Sequence, residues 1–118
     1  MKDLAPNIYR QRLLIEGIYE IDVQVETVHQ FFTVLLSGLG ANAAGDAIVN
    51  SSLGQGKIEN QGIEAFIPLI ESGVAVYTWQ SSRFLSLIIY TCKKFDGDKA
   101  LSIVEDFFQL SQMESKSF

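Results

Sequence analysis

The 118-residue chain holds one cysteine, Cys92, and one histidine, His29. A serine nucleophile of the usual kind needs a histidine base oriented by a carboxylate. His29 sits one position off the apolar stripe of a helix and has no such partner, so a structural histidine is expected there. The carboxylates form no pair with the spacing of a general acid and general base. One cysteine and one histidine fall short of a cysteine/histidine metal site, so no metal is expected, and a lone cysteine is most simply a small core hydrophobe. Gly38, Gly40, Gly45, Gly54 and Gly56 match neither G-x-G-x-x-G nor G-x-x-x-x-G-K-[ST]. Trp79 reads as an anchor for the core or for a dimer face. What remains is Glu71-Ser72, a serine at a tight junction between two apolar runs, where an ordinary turn residue is the simplest assignment. A catalyst with this inventory must acquire an electrophile that no side chain here supplies.

The composition frames that possibility. The chain weighs 13.1 kDa, is 47% apolar and only 19% charged. Such a chain has enough apolar surface to offset ordering entropy, which excludes a disordered or fibrous protein and predicts one domain over residues 1–118. Fourteen acidic against nine basic residues leave a charge of -5 and a pI near 4.7. An anionic surface repels phosphate backbones, so neither nucleic acid nor an anionic membrane is expected as a partner. The start, Met1 to Asn7, has no signal-peptide core, and no apolar stretch reaches the roughly 20 residues of a spanning helix. A cytoplasmic location is expected.

The elements that must position Ser72 and Cys92 follow from periodicity. Tyr9 to Gly17 alternates, Leu13 and Ile15 facing one way and Arg12, Leu14 and Glu16 the other, which predicts a strand. Val25, Val28, Phe32, Leu35 and Leu39 recur at three- and four-residue steps and predict a helix, capped by Asp22 and stopped by Gly38 and Gly40. Asp46 to Asn50 is a short strand candidate, and Ser51 to Gly62 reads as a loop. Ile63 to Ile70, Gly73 to Trp79 and Arg83 to Thr91 are β-branched and aromatic, with hairpin connections at Glu71–Gly73 and Gln80–Ser82. Pro68, without an amide donor, predicts an edge or an irregularity. Asp98 then caps a second helix, with Leu101, Val104 and Phe108 along its apolar side and Ala100 and Phe107 adjacent. The tail from Ser111 is polar and expected to fray. This order predicts an α+β fold, a two-layer sandwich with helices on one face of an antiparallel sheet.

Four pieces of sequence then stand in register: Gln61-Gly62-Ile63, Glu71-Ser72, Thr78-Trp79 and Thr91-Cys92. Together with the flanking strand and helices, they resemble the S-adenosylmethionine decarboxylase proenzymes, a family of small prokaryotic pyruvoyl enzymes. Its members carry Q-G-V-S, then E-S-H-x-S-x-H-T-W-P-E, then a strand ending F-T-C. The resemblance implies a precursor that cuts itself between Glu71 and Ser72. The Ser72 hydroxyl would attack the Glu71 carbonyl and turn the amide into an ester. Elimination would then release the Glu71 carboxyl end and leave a dehydroalanine that hydrolyses to a pyruvoyl group. That ketone would form a Schiff base with a substrate amine and serve as the electron sink for decarboxylation. Cys92 would correspond to the family cysteine that protonates the carbanion, and its place beyond an apolar strand suits a partly sheltered thiol.

The chain also departs from the pattern. Tyr77 stands where the family has its processing histidine, and Glu64 where it has a serine. Gly73 and Ala75 replace the histidine and serine after the cleavage site. Gln80-Ser81 replaces the Pro-Glu whose glutamate holds the nucleoside ribose, which puts S-adenosylmethionine itself in question. Three readings stay open on the sequence: a pyruvoyl-dependent decarboxylase of polyamine (spermidine) biosynthesis, the same chemistry on ornithine or arginine, and an uncleaved, non-catalytic relative. A small cationic amine substrate and a homodimer, formed by sheet edges or faces, are what the resemblance implies about partners.

Overall fold

A computed structural model describes residues 1–118. The elements are β1 (Gln11–Tyr19), α1 (Val25–Leu39), β2 (Ile48–Ser52), β3 (Gly62–Leu69), β4 (Ser72–Trp79), β5 (Phe84–Thr91), α2 (Gly97–Phe108) and β6 (Leu110–Ser117). All six strands join one antiparallel sheet in the order β2-β3-β4-β5-β1-β6. The expected α+β sandwich is therefore the observed fold. Alternation decides which side chains meet the helices. Leu13 and Ile15 of β1, Val74 and Val76 of β4, and Leu85, Leu87 and Ile89 of β5 are buried against α1 and α2. Val28, Phe31, Phe32, Leu35 and Leu36 of α1 and Ala100, Val104 and Phe108 of α2 close the core from the other side. Phe31 joins the two helices, its ring centroid 4.7 Å from Phe108 and 5.4 Å from Phe107.

Several local expectations need correction. Gln24, not Asp22, caps α1 in a reciprocal box with Thr27, while Asp22 accepts a hydrogen bond from the Gln24 side-chain amide. Gly40, in the left-handed region at φ 67°, ends α1. Gly38 does not stop the helix: it lies inside α1, where a Cβ would meet the terminal methyl of Ile103 of α2 and displace it. The short strand runs over Ile48–Ser52 rather than Asp46–Asn50, and the following loop contains two 3-10 turns, Gly54–Gly56 and Ile58–Asn60. Pro68 belongs to an interior strand, but β2 pairs β3 only as far as Phe66, and the Pro68 carbonyl accepts from the Ala44 amide beyond that end. The missing donor thus falls where the ladder has already stopped.

The polar tail does not fray. It is β6, paired to β1 from Leu13↔Ser117 to Tyr19↔Leu110. Only Leu110 and Met113 in it are half-buried, so it shows no alternation, and polar side chains suit an edge that must not recruit another chain. The cap of α2 also moves. Asp96 accepts a hydrogen bond from the Lys99 amide at 3.1 Å, and Asp98 lies in the first turn. Asp96→Ala is expected to cost about 1 kcal/mol in urea unfolding, with Asp98→Ala costing less than half as much.

Candidate active site at the Glu71–Ser72 hairpin

The turn between β3 and β4 is one residue earlier than expected. Leu69 pairs with Ser72, leaving only Ile70 and Glu71 in the loop. Two-residue hairpins usually place positive φ on a loop residue. Here it falls on Ser72, the first residue of β4, at φ 142°. An L-residue held in that region stores about 1–3 kcal/mol. The hairpin is strapped in place, since the Ile70 amide donates to the Asn42 carbonyl at 2.9 Å and Ala43 bridges Leu69.

The β4–β5 hairpin brings the other end of the motif alongside. Its loop runs from Gln80 through Arg83, one residue longer than expected, with Arg83 at φ 51°. That length sets the register, so Ser72 faces Thr91 and Cys92 follows directly. The Cys92 amide donates to the Glu71 carbonyl oxygen at 2.8 Å. The carbonyl that acylates the Ser72 nitrogen is therefore polarised by a fixed backbone donor, the arrangement that stabilises a developing oxyanion. Thr91, buried, donates its hydroxyl to the Lys93 carbonyl at 2.5 Å and pins the chain just past Cys92. Cys92 itself is exposed, neither the core residue nor the partly sheltered thiol expected of it. The apolar run ends at Thr91, the last strand residue, one position short of it.

Two recesses flank the hairpin. On the outer sheet face, a groove of about 280 Å³ is lined by Phe66, Ser72, Gly73, Ala75, Ile88 and Tyr90. A Cβ on Gly73 would lie 2.6 Å from the Phe66 ring, so a larger residue there would push that exposed ring aside and reshape the groove. A second cavity of about 220 Å³ is bounded by Glu71, Thr91, Lys93 and Lys94 together with Leu39, Gly40, Ala41 and Phe95. Glu71 Oε2 is buried without a hydrogen-bond partner.

The remaining candidates lie elsewhere. Glu64 and Tyr77 face each other across β3 and β4. Tyr77 is five residues from Ser72, about 17 Å along the strand at ~3.4 Å per residue. Ser81 is exposed in the β4–β5 loop at the opposite end of the strand, and His29 is exposed on α1. Trp79 is half-buried on the outer face, 5.4 Å from Phe84, and does not anchor the core between sheet and helices. The structure thus gathers Glu71, Ser72 and Cys92 and leaves Glu64, Tyr77 and Ser81 apart from them in the chain. Lys93 and Lys94 escaped the sequence reading, although two cations directly after the cysteine were visible in it.

No helix is long and apolar enough to cross a membrane. No curated protein matches the sequence. Among solved structures, the chain resembles the crystal structure of the adenosylmethionine decarboxylase from Aquifex aeolicus VF5, with a TM-score of 0.73 and 14% identity over 94% of this chain and 89% of that one. At that identity the likeness is one of fold. The family model of S-adenosylmethionine decarboxylase matches residues 17–118, taking in the Glu71–Ser72 hairpin, Cys92 and every element after β1. On that match, the chain belongs to the S-adenosylmethionine decarboxylase family.

Proposed function

We propose that the chain cuts itself between Glu71 and Ser72 and that the pyruvoyl group so formed at residue 72 makes it a decarboxylase of small cationic amino acids in polyamine biosynthesis, S-adenosylmethionine or a close relative first among them. The observation that carries this reading is the Cys92 amide held 2.8 Å from the Glu71 carbonyl, beside a serine at φ 142°. The donor favours attack on that carbonyl, and backbone strain at Ser72 is released when the chain opens. These residues fit the group: the serine, the polarised carbonyl and an exposed thiol stand at one end of the sheet. Once formed, the ketone supplies an acceptor for the substrate amine and a sink for the electrons left as carbon dioxide departs. The chain's own residues do the rest. The outer groove, lined by Phe66 and Tyr90, shelters the substrate from water, and Cys92 Sγ holds a proton for the carbon that has lost its carboxylate. The net charge of -5 attracts a cation.

A homodimer belongs to the same reading. Phe66, Tyr77 and Tyr90 are each at least 40% exposed on the helix-free face of the sheet, beside Ile48 at 61%. A second copy laid against that face would remove this apolar surface from water.

Intact mass after prolonged incubation tests the proposal. The expected result is two species, residues 1–71 and residues 72–118, the second carrying a ketone trapped by hydroxylamine. Carbon dioxide release should then follow addition of S-adenosylmethionine, and turnover confined to ornithine or arginine would reassign the substrate. A single full-length species without a ketone overturns the enzyme in favour of an uncleaved relative.

A further inference from the structure

Cleavage at Glu71 creates a charge that the precursor does not have. In the elimination step the Ser72 Cα–H bond breaks and its proton passes to solvent. The freed electron pair forms the Cα=Cβ double bond of dehydroalanine, the Cβ–Oγ bond breaks, and the Glu71 carboxylate leaves with both oxygens. Negative charge therefore builds on the Glu71 carboxyl in the transition state and stays there in the product. The cavity bounded by Glu71 also holds Lys93 and Lys94. Neither lysine is in an ion pair; the two ion pairs in the chain are Arg10–Asp3 and Arg83–Glu20. The Glu71 side chain, by contrast, already has Oε2 buried without a partner. A second carboxylate arriving at the same residue would meet one unpaired anion unless cations answered it.

Building on the self-cleavage reading, we propose that Lys93 and Lys94 are positioning residues for chain cleavage, taking up the charge of the departing Glu71 carboxylate and holding the new chain end in its cavity. Asp96 does not compete, since its carboxylate caps α2. Asp98, which shares a neighbouring recess with Lys94, is exposed and screened. Both lysines are exposed as well, so their effect is smaller than that of a buried oxyanion donor.

The test compares the full-length chain with Lys93→Met/Lys94→Met and Lys93→Arg/Lys94→Arg doubles, following intact mass and the hydroxylamine-labile ester over time at low and high salt. The methionine double should cut about tenfold more slowly, accumulate the ester because elimination rather than acyl shift is impaired, and lose the salt dependence of the parent. The arginine double should cut like the parent. Equal rates in all three chains overturn the lysine assignment alone, as does slow cutting of the methionine double without ester. A parent that neither cuts nor forms an ester overturns the self-cleavage reading, and the lysine role with it.

Discussion

Ser72→Ala is expected to abolish self-cleavage completely, leaving one 118-residue chain with no ketone and no decarboxylase activity. The acyl shift needs an oxygen nucleophile on the side chain of the residue whose nitrogen the polarised Glu71 carbonyl acylates, and Ser72 is that residue. The fold should survive, because alanine keeps the backbone in the same strained place. Ser72→Gly sharpens the result. Glycine also lacks the nucleophile, but it occupies φ 142° without the steric penalty of an L-residue. In urea unfolding, the glycine variant should therefore be more stable than the alanine variant by about 1–3 kcal/mol, less the backbone entropy that glycine gains when unfolded. Equal stabilities would mean that the hairpin stores no strain for cleavage to release. Fragments 1–71 and 72–118 from Ser72→Ala would remove the hydroxyl from the reaction altogether.

Phe31→Ala should produce the largest loss of stability, about 3–5 kcal/mol in urea or thermal unfolding. Phe31 is fully buried and touches Phe32, Phe107 and Phe108, so its removal opens a cavity where the aromatic side chains of the two helices lock together. Aromatic contacts add to the burial term. A loss of that size is a large share of a domain's total stability and should lower expression as well. A change below 1 kcal/mol would mean that the helix layer repacks around the gap.

The two helices and the central strands were legible in the chain because burial on one side imposes a period. Leu13 and Ile15, or Val104 and Phe108, are apolar at the spacing their element dictates. Phe31 and Leu36 were missed for the same reason: a stripe begun at Val25 fixes one line of residues, while the buried face of α1 is wider than one line. β6 was illegible because an edge strand bound through its backbone needs no apolar alternation. The cap of α2 was misplaced by two residues because Asp96 and Asp98 have equal local claims, and only the turn geometry chooses between them. The meeting of Glu71, Ser72 and Cys92 depends on loop length. A loop through Arg83 sets Ser72 opposite Thr91, whereas one residue fewer would shift the register and turn that strand's side chains to the other face. The motif named the residues, and hairpin geometry put them together.

The strand order has a consequence for the molecule that the proposed cleavage would leave. Residues 1–71 supply β1, β2 and β3 with α1, and residues 72–118 supply β4, β5 and β6 with α2. In the sheet these do not form two blocks: β1 lies between β5 and β6, and β3 lies against β4. Opening the hairpin thus creates two interleaved pieces, neither of which can leave without dismantling the ladder on both sides of β1. Such a molecule behaves as a heterodimer that was born as a monomer. Its halves find one another at the effective concentration of a single chain, but once melted apart they must meet again by diffusion.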